Sequence, residues 1–171
     1  MRRKIKQKAF GFTFRLIRVG CLALAGLLAV LPLSAAAAQA KSIADARNEV
    51  VQETLKYLSI PYLWGGTHPG TGLDCSGFVQ LVYSKAGLNL PRVAREQFAA
   101  SLYLKPAAIL PGDMIFFSMK RPGSSKVDHI GIYVGKGFFV HASVSNGIHI
   151  DSVSNPYYFQ RIVSVRKYRG F

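Results

Sequence analysis

Acidic residues are scarce in this chain: eight Asp and Glu stand against 22 Lys and Arg, for a formal net charge of +14. Cysteine is scarcer still, with two, and tryptophan occurs once. Residues 1–40 contain no acid at all but hold Arg2, Arg3, Lys4, Lys6, Lys8, Arg15 and Arg18. Without that segment the balance is +7, enough to favour a polyanionic partner or simply to aid solubility. An arginine-rich helix and a zinc-knuckle pattern are both missing, which argues against nucleic acid as a partner. No internal repeat and no low-complexity linker follows residue 40, so a single compact domain is expected.

A membrane-length apolar run is also lacking. Val19–Leu33 is of signal-peptide length, too short for a comfortable span. It follows a basic stretch, Met1–Arg18, and precedes the small, Ala-rich Ser34–Ala40. There Ala38-Gln39-Ala40 fits a small-x-small cleavage site. The expectation is a signal peptide over residues 1–40, cut after Ala40, and one domain over 41–171. An uncleaved anchor is the competing reading. The mature chain is then exported, to the periplasm or to the extracellular cell wall, with no stable membrane insertion. Cys21 leaves with the leader. Cys75 is alone, so no intramolecular disulfide forms, and a lone cysteine in an exported chain calls for a functional explanation.

What is present around Cys75 is specific. Leu73-Asp74-Cys75-Ser76-Gly77-Phe78-Val79 ends a Gly- and Pro-rich run and opens an apolar, helix-compatible segment. Asp74 is placed to be an N-cap. The free N–H groups and dipole of a helix start favour a thiolate at Cys75. Upstream, Lys41–Leu58 carries an apolar stripe of helical period. Ser42 is its candidate cap and Ile60-Pro61 its end, and it serves as a cover for the domain. Tyr62 to Gly72 reads as a loop. In it Tyr62 is assigned to the site and Trp64 to packing, while Trp64, Asp74 and Ser76 are carried as candidate substrate contacts. His68 is read as a solvated surface histidine; Arg92 and Arg95 either flank the cleft or, by default, form a solvated face.

Helices are expected from Cys75 to about Ala86, with Gly87 as the C′ residue, and over Arg95–Ser101. Strands follow at Met114–Phe117, His129–Val134, Phe138–Ala142, Gly147–Val153 and Arg161–Tyr168. Helices first and strands later indicate an α+β domain with a largely antiparallel sheet.

A cysteine nucleophile needs a base, usually histidine. With a three-residue loop at Gly135–Gly137, Val134 pairs with Phe138, Gly131 with His141, and His129 with Ser143. His129 and His141 then project from one face as diagonal neighbours. A two-residue loop would put them on opposite faces. His149 is read as a surface or edge residue with no partner. A metal held by one Cys and two His is disfavoured, because zinc usually takes a tighter ligand pair and a fourth protein ligand. No metal and no other cofactor is expected.

Taken together, Tyr62-x-Trp64-Gly65-Gly66, Asp74-Cys75-Ser76-Gly77-Phe78-Val79, Leu90-Pro91-Arg92, Gly112-Asp113-x-x-Phe116-Phe117, His129-x-Gly131-Ile132-Tyr133 and Phe139-x-His141-Ala142 resemble the NlpC-type cysteine peptidases. These are bacterial cell-wall endopeptidases with a papain-like core, and the resemblance covers about residues 45–169. It implies Cys75 as nucleophile, His129 as general base and acid, and His141 as the residue orienting His129. Tyr62 would contribute to the oxyanion site together with the Cys75 backbone N–H. The implied substrate is peptidoglycan, cut at an amide of the stem peptide or the cross-link through a thioacyl-enzyme. Two rivals share the core: a thiol amidase or acyltransferase on a non-wall substrate, and a non-catalytic wall-binding module. Monomer is the default state.

Overall fold

A computed structural model describes residues 33–171. The basic stretch and most of the apolar run of the expected leader lie outside the described residues. The chain runs through α1 (Leu33–Lys56), β1 (Thr67–His68), β2 (Gly72–Leu73), α2 (Cys75–Lys85), α3 (Ala94–Ala100), β3 (Leu102–Leu104), β4 (Met114–Phe117), β5 (His129–Gly135), β6 (Phe138–Ser143), β7 (Gly147–Ser152), α4 (Pro156–Phe159) and β8 (Ile162–Lys167). Six strands form one sheet in the order β3-β8-β4-β5-β6-β7, every neighbouring pair antiparallel. This is the expected α+β architecture, with the helices ahead of most of the sheet. Among the described residues no helix is long and apolar enough to cross a membrane.

The structure departs from expectation at the start of α1, in the loop after Tyr62, and in the added elements β3 and α4. α1 begins at Leu33, not at Lys41 with Ser42 as its cap, and it is continuous across Ala40. Four consecutive alanines, Ala35–Ala38, are the strongest helix formers and carry the helix upstream. The loop after Tyr62 also contains a small ribbon, with Thr67 paired to Leu73 and His68 to Gly72.

The centre of the sheet is buried on both sides, and β4 shows why. Its residues alternate between two clusters, and all four are fully buried. Met114 and Phe116 pack toward α2, with Phe78, Val79, Val82, Ile130, Ile132, Val140 and Ala142. Ile115 and Phe117 pack on the other face, with Phe139 and Tyr158. Period-two alternation with apolar residues on both faces gives a continuous apolar run. Each fully buried Phe or Val of α2 contributes about 1.5–3 kcal/mol. Val50 and Thr54 seat α1 on this core. Arg47 also reaches from α1 to the buried carboxylate of Asp113, Nη1 to Oδ1 at 2.8 Å.

The β5–β6 hairpin reaches the expected register by a different route. Its connection is two residues, Lys136 and Gly137, closed by the pair Gly135–Phe138. Alone, that would flip one strand. A bulge between Tyr133 and Gly135 inserts the compensating residue, and Tyr133 pairs with Phe139 and Ile132 with Val140. Positive φ at Gly135, Lys136 and Gly137 makes the tight turn.

Candidate active site

α2 starts at Cys75 for a local reason. Asp74 is extended, with φ −85° and ψ 175°, and its Oδ1 accepts from the Gly77 N–H at 2.7 Å. The side chain thereby satisfies one of the unpaired donors of the helix start. The same carboxylate takes a two-pronged contact from Arg92, Nη1 to Oδ1 at 2.9 Å and Nη2 to Oδ2 at 2.6 Å. Arg92 therefore does not belong to a solvated face. It ties the segment after α2 back to the helix start, and its Nη1 also donates to Ser76 Oγ at 3.0 Å. Gln97 of α3 adds a bond from Nε2 to the Ser76 carbonyl, at 3.0 Å. The Gly66 carbonyl lies so close to Gly77 that a Cβ at 77 would collide with it. The glycine after Ser76 is thus required by the approach of the Gly66 backbone, and Gly66 in turn by the carbonyls of Leu63 and Gly72.

This packing sets the thiol's chemistry. Cys75 is buried and free. Its pKa is pushed up to about 11, first by burial and then by the negative charge of Asp74. Amide groups of Ile130, Ser76 and Cys75 itself pull the other way without prevailing. The expectation of a thiolate stabilised by the helix start is not met: loss of water and the Asp74 charge outweigh the backbone N–H groups that favour the thiolate. Asp74 itself lies below its ordinary value. Burial would raise it, but the hydrogen bonds from Arg92 and the Gly77 N–H more than offset that.

The thiol's bond to the Ile130 amide places it beside His129, the first residue of β5. His129 and His141 share a face of the hairpin, and their rings meet edge to face with Nε2 of His129 2.7 Å from Nδ1 of His141. Phe117 and Phe139 pack against this pair, at 5.9 Å from the His129 ring and 5.0 Å from the His141 ring. Gly131 is required beneath it, since a Cβ there would sit 2.8 Å from Phe139 Cδ2 and 3.2 Å from His141 Cβ. Burial, His141 and His149 push the His129 pKa down to about 3. Burial pushes His141 down to about 4, against the upward pull of its hydrogen bond to Asp151. At neutral pH the site therefore rests as a neutral thiol beside two neutral imidazoles.

A second layer was missed from the sequence. His149 pairs with His141 across β6 and β7. It lies on an edge strand, as expected, but it has a partner: its Nε2 lies 2.7 Å from Asp151 Oδ2. His141 Nε2 lies 2.9 Å from the same oxygen. Tyr158, from α4, also donates to the Asp151 carboxylate, and these bonds hold that group below its ordinary pKa despite burial. The pattern His149-x-Asp151, two apart on one strand, was the available signal. The donor atoms of His141, His149 and Asp151 all lie within 4.8 Å of one another, close enough to share a metal ion. Within the cluster His141 and Asp151 are hydrogen-bonded to each other, and His149 also bonds the Gly147 carbonyl. Cys75 is not among them.

The remaining candidates divide. Tyr62 is anchored by a parallel bridge to Leu73. Burial and the nearby Cys75 and Asp74 raise its phenol pKa, so it stays a neutral O–H donor next to the thiol. Ser76 is buried and engaged with Asp74 and Arg92. Trp64 does not pack in the core; it is 86% exposed on the loop beside Tyr62. His68 is at the surface, accepting from the Gly70 N–H through Nδ1.

An α+β domain with a cysteine opening a buried helix, against a hairpin that carries a histidine pair, defines the papain-like class of thiol-containing domains. Residues 59–167 match the NlpC/P60 family, and the chain belongs to it. A γ-DL-glutamyl hydrolase of Bacillus subtilis is 40% identical over 120 residues, which are 70% of this chain and 29% of that protein. The bifunctional muramidase/DL-endopeptidase CwlT of the same organism is 40% identical over 124 residues, 72% of this chain and 37% of that one. A crystal structure of an NLP/P60 family protein of Staphylococcus aureus, described as similar to a lipoprotein, superposes with a TM-score of 0.65 at 35% identity. It covers 72% of this chain and 41% of its own. The chain thus spans well under half the length of these relatives.

Proposed function

We propose that this chain is an exported cysteine endopeptidase that hydrolyses amide bonds of peptidoglycan stem peptides or cross-links. The observation that carries the reading is the 2.7 Å bond between His129 Nε2 and His141 Nδ1, beside a cysteine at a helix start. The names of the relatives, a glutamyl hydrolase and a DL-endopeptidase, supply the substrate class. The basic leader with its apolar run supports export, with cleavage after Ala40 releasing the domain over 41–171.

Because Nε2 of His129 is engaged by His141, Nδ1 is the nitrogen left for the thiol. In this proposal Nδ1 takes the Cys75 proton as sulfur attacks the amide carbonyl carbon, and the carbonyl electrons move onto oxygen. The Cys75 N–H and the Tyr62 hydroxyl stabilise that oxyanion, a contribution of about 3–4 kcal/mol per donor in hydrolases. His129 then gives its proton to the leaving nitrogen, the C–N bond breaks, and a thioacyl-enzyme remains. Water attacks it with His129 as base, releasing the acid and the thiol. A glutamyl residue linked through its side chain keeps a free carboxylate. Arg92, with its side chain one-third exposed, is the cation beside Cys75 suited to receive it.

Digestion of purified sacculi, with products read by mass spectrometry, tests the proposal. The protein is expected to release new peptide termini and the Cys75→Ala variant none. Identical products from both, or none from either, would sink the reading.

A further inference from the structure

We propose that Asp151 is a positioning residue for this site, fixing through His141 which nitrogen of His129 faces the thiol. The inference rests on the peptidase reading above. It extends the histidine pair into a continuous series of contacts that runs from the edge strand β7 to Cys75.

The chain of donors and acceptors has one consistent solution. The Asp151 carboxylate is ionised, so it only accepts. Its Oδ2 lies 2.9 Å from His141 Nε2, which must carry the proton of that bond. A neutral His141 then has a lone pair at Nδ1. That lone pair faces His129 Nε2 at 2.7 Å, so His129 carries its proton on Nε2. Its lone pair is therefore on Nδ1, the nitrogen free to take the thiol proton. Each assignment follows from the one before, and the first is set by the carboxylate of Asp151. When His129 becomes an imidazolium, the Asp151 charge two bonds away stabilises it.

The surroundings support this role. β6 and β7 place His141 and His149 in register, and both Nε2 atoms converge on one Asp151 oxygen. Tyr158 of α4 donates to the same carboxylate and packs its ring 5.2 Å from that of His141. His149 lies with Nδ1 3.1 Å from the Gly147 carbonyl and Nε2 2.7 Å from Asp151, which fixes its ring beside the carboxylate. The groups that bear on Asp151 are thus His141, His149 and Tyr158, with His129 one step further.

Four measurements on the purified full chain test the role. In nitrogen NMR of the Cys75→Ala variant, His141 is expected to be protonated at Nε2, and protonation at Nδ1 overturns the proposal. Asp151→Asn keeps the size and hydrogen-bonding capacity but removes the charge. It is expected to lower kcat on sacculi by about 10–100-fold with KM and melting temperature little changed, and Asp151→Glu is expected to recover part of the loss. A triad acid in a serine protease, one step closer to its base, costs about 10⁴-fold when made an amide. Unchanged kcat in Asp151→Asn means a merely structural carboxylate and overturns the proposal. The third measurement is alkylation of Cys75 by iodoacetamide at neutral pH, which needs no substrate. It is expected to slow by about tenfold in Asp151→Asn, and equal rates count against the role. If the wild type cuts no peptidoglycan, the peptidase reading fails while the tautomer and alkylation results still decide this one. Loss of wild-type activity on chelation, restored by zinc, makes the carboxylate a ligand and also overturns it.

Discussion

The two halves of the site are each built around one partly buried carboxylate, and they hold it by different means. At the helix half, Asp74 is clamped by the guanidinium of Arg92 and by the Gly77 N–H. At the sheet half, Asp151 is held by two imidazoles and a phenol. Arginine keeps its charge at any pH the protein meets and only donates, whereas a neutral imidazole both donates and accepts a proton. The first arrangement fixes a backbone geometry and stays out of the proton traffic. The second is made of groups able to pass or orient a proton. A carboxylate's partners, more than its own pKa, decide whether it serves as a brace or as part of a relay.

The largest effect should come from breaking the brace. Arg92→Ala leaves Asp74 without its cation at the start of α2. The expected loss is about 2–3 kcal/mol in denaturant unfolding, below the full cost of opening a wholly buried pair because Arg92 is one-third exposed. Asp151→Asn should cost less stability than this and more turnover. If Arg92→Ala leaves stability untouched while Asp151→Asn unfolds the protein, the contrast between the halves is wrong.

Acid should separate the halves next. Asp74 and Asp151 both lie below their ordinary values in the fold, so the stability each contributes is present above about pH 4 and lost as pH falls through the folded value. His129 and His141 are lowered to about 3 and about 4. In the unfolded chain they bind protons from about pH 6.5 downward, which the fold resists. Stability should therefore fall as pH drops from about 6.5 to 4, and more gently in His141→Gln, which removes one of these groups. Thermal melts across that range give the slope. A flat profile in the wild type would show that the imidazoles are not held neutral.

The smallest effect is expected outside both halves. Trp64→Ala removes an exposed ring and should change stability by less than about 0.5 kcal/mol. A rise in KM without loss of kcat would mark Trp64 as a substrate contact, and unchanged kinetics would retire that role.

How far each half can be read from the chain follows from how local it is. Asp74, Cys75 and Gly77 act within one helical turn, and their capping pattern is legible without a fold. The meeting of His129 and His141 needed a strand register. The expected register is correct, but a bulge at Val134 and a two-residue turn produce it, not a three-residue loop. Bulges are set by tertiary fit and leave little trace in composition. Arg92 was assigned to solvent because its partner lies 18 positions away, across a helix and a connector. Asp151 and His149 escaped for a similar reason: their role depends on the β6–β7 pairing and on a four-residue helix bringing Tyr158 alongside. The raised thiol pKa was unreadable because it depends on how completely the sheet covers the helix start.

The claim that the buried helix half holds a neutral thiol, and the sheet half supplies its base, meets its most direct test in the pH dependence of Cys75 alkylation by iodoacetamide. A neutral thiol predicts a rate that keeps climbing above pH 9 toward a midpoint of about 11. A rate that has already levelled off by about pH 6 would mean a preformed thiolate–imidazolium pair and would contradict the account.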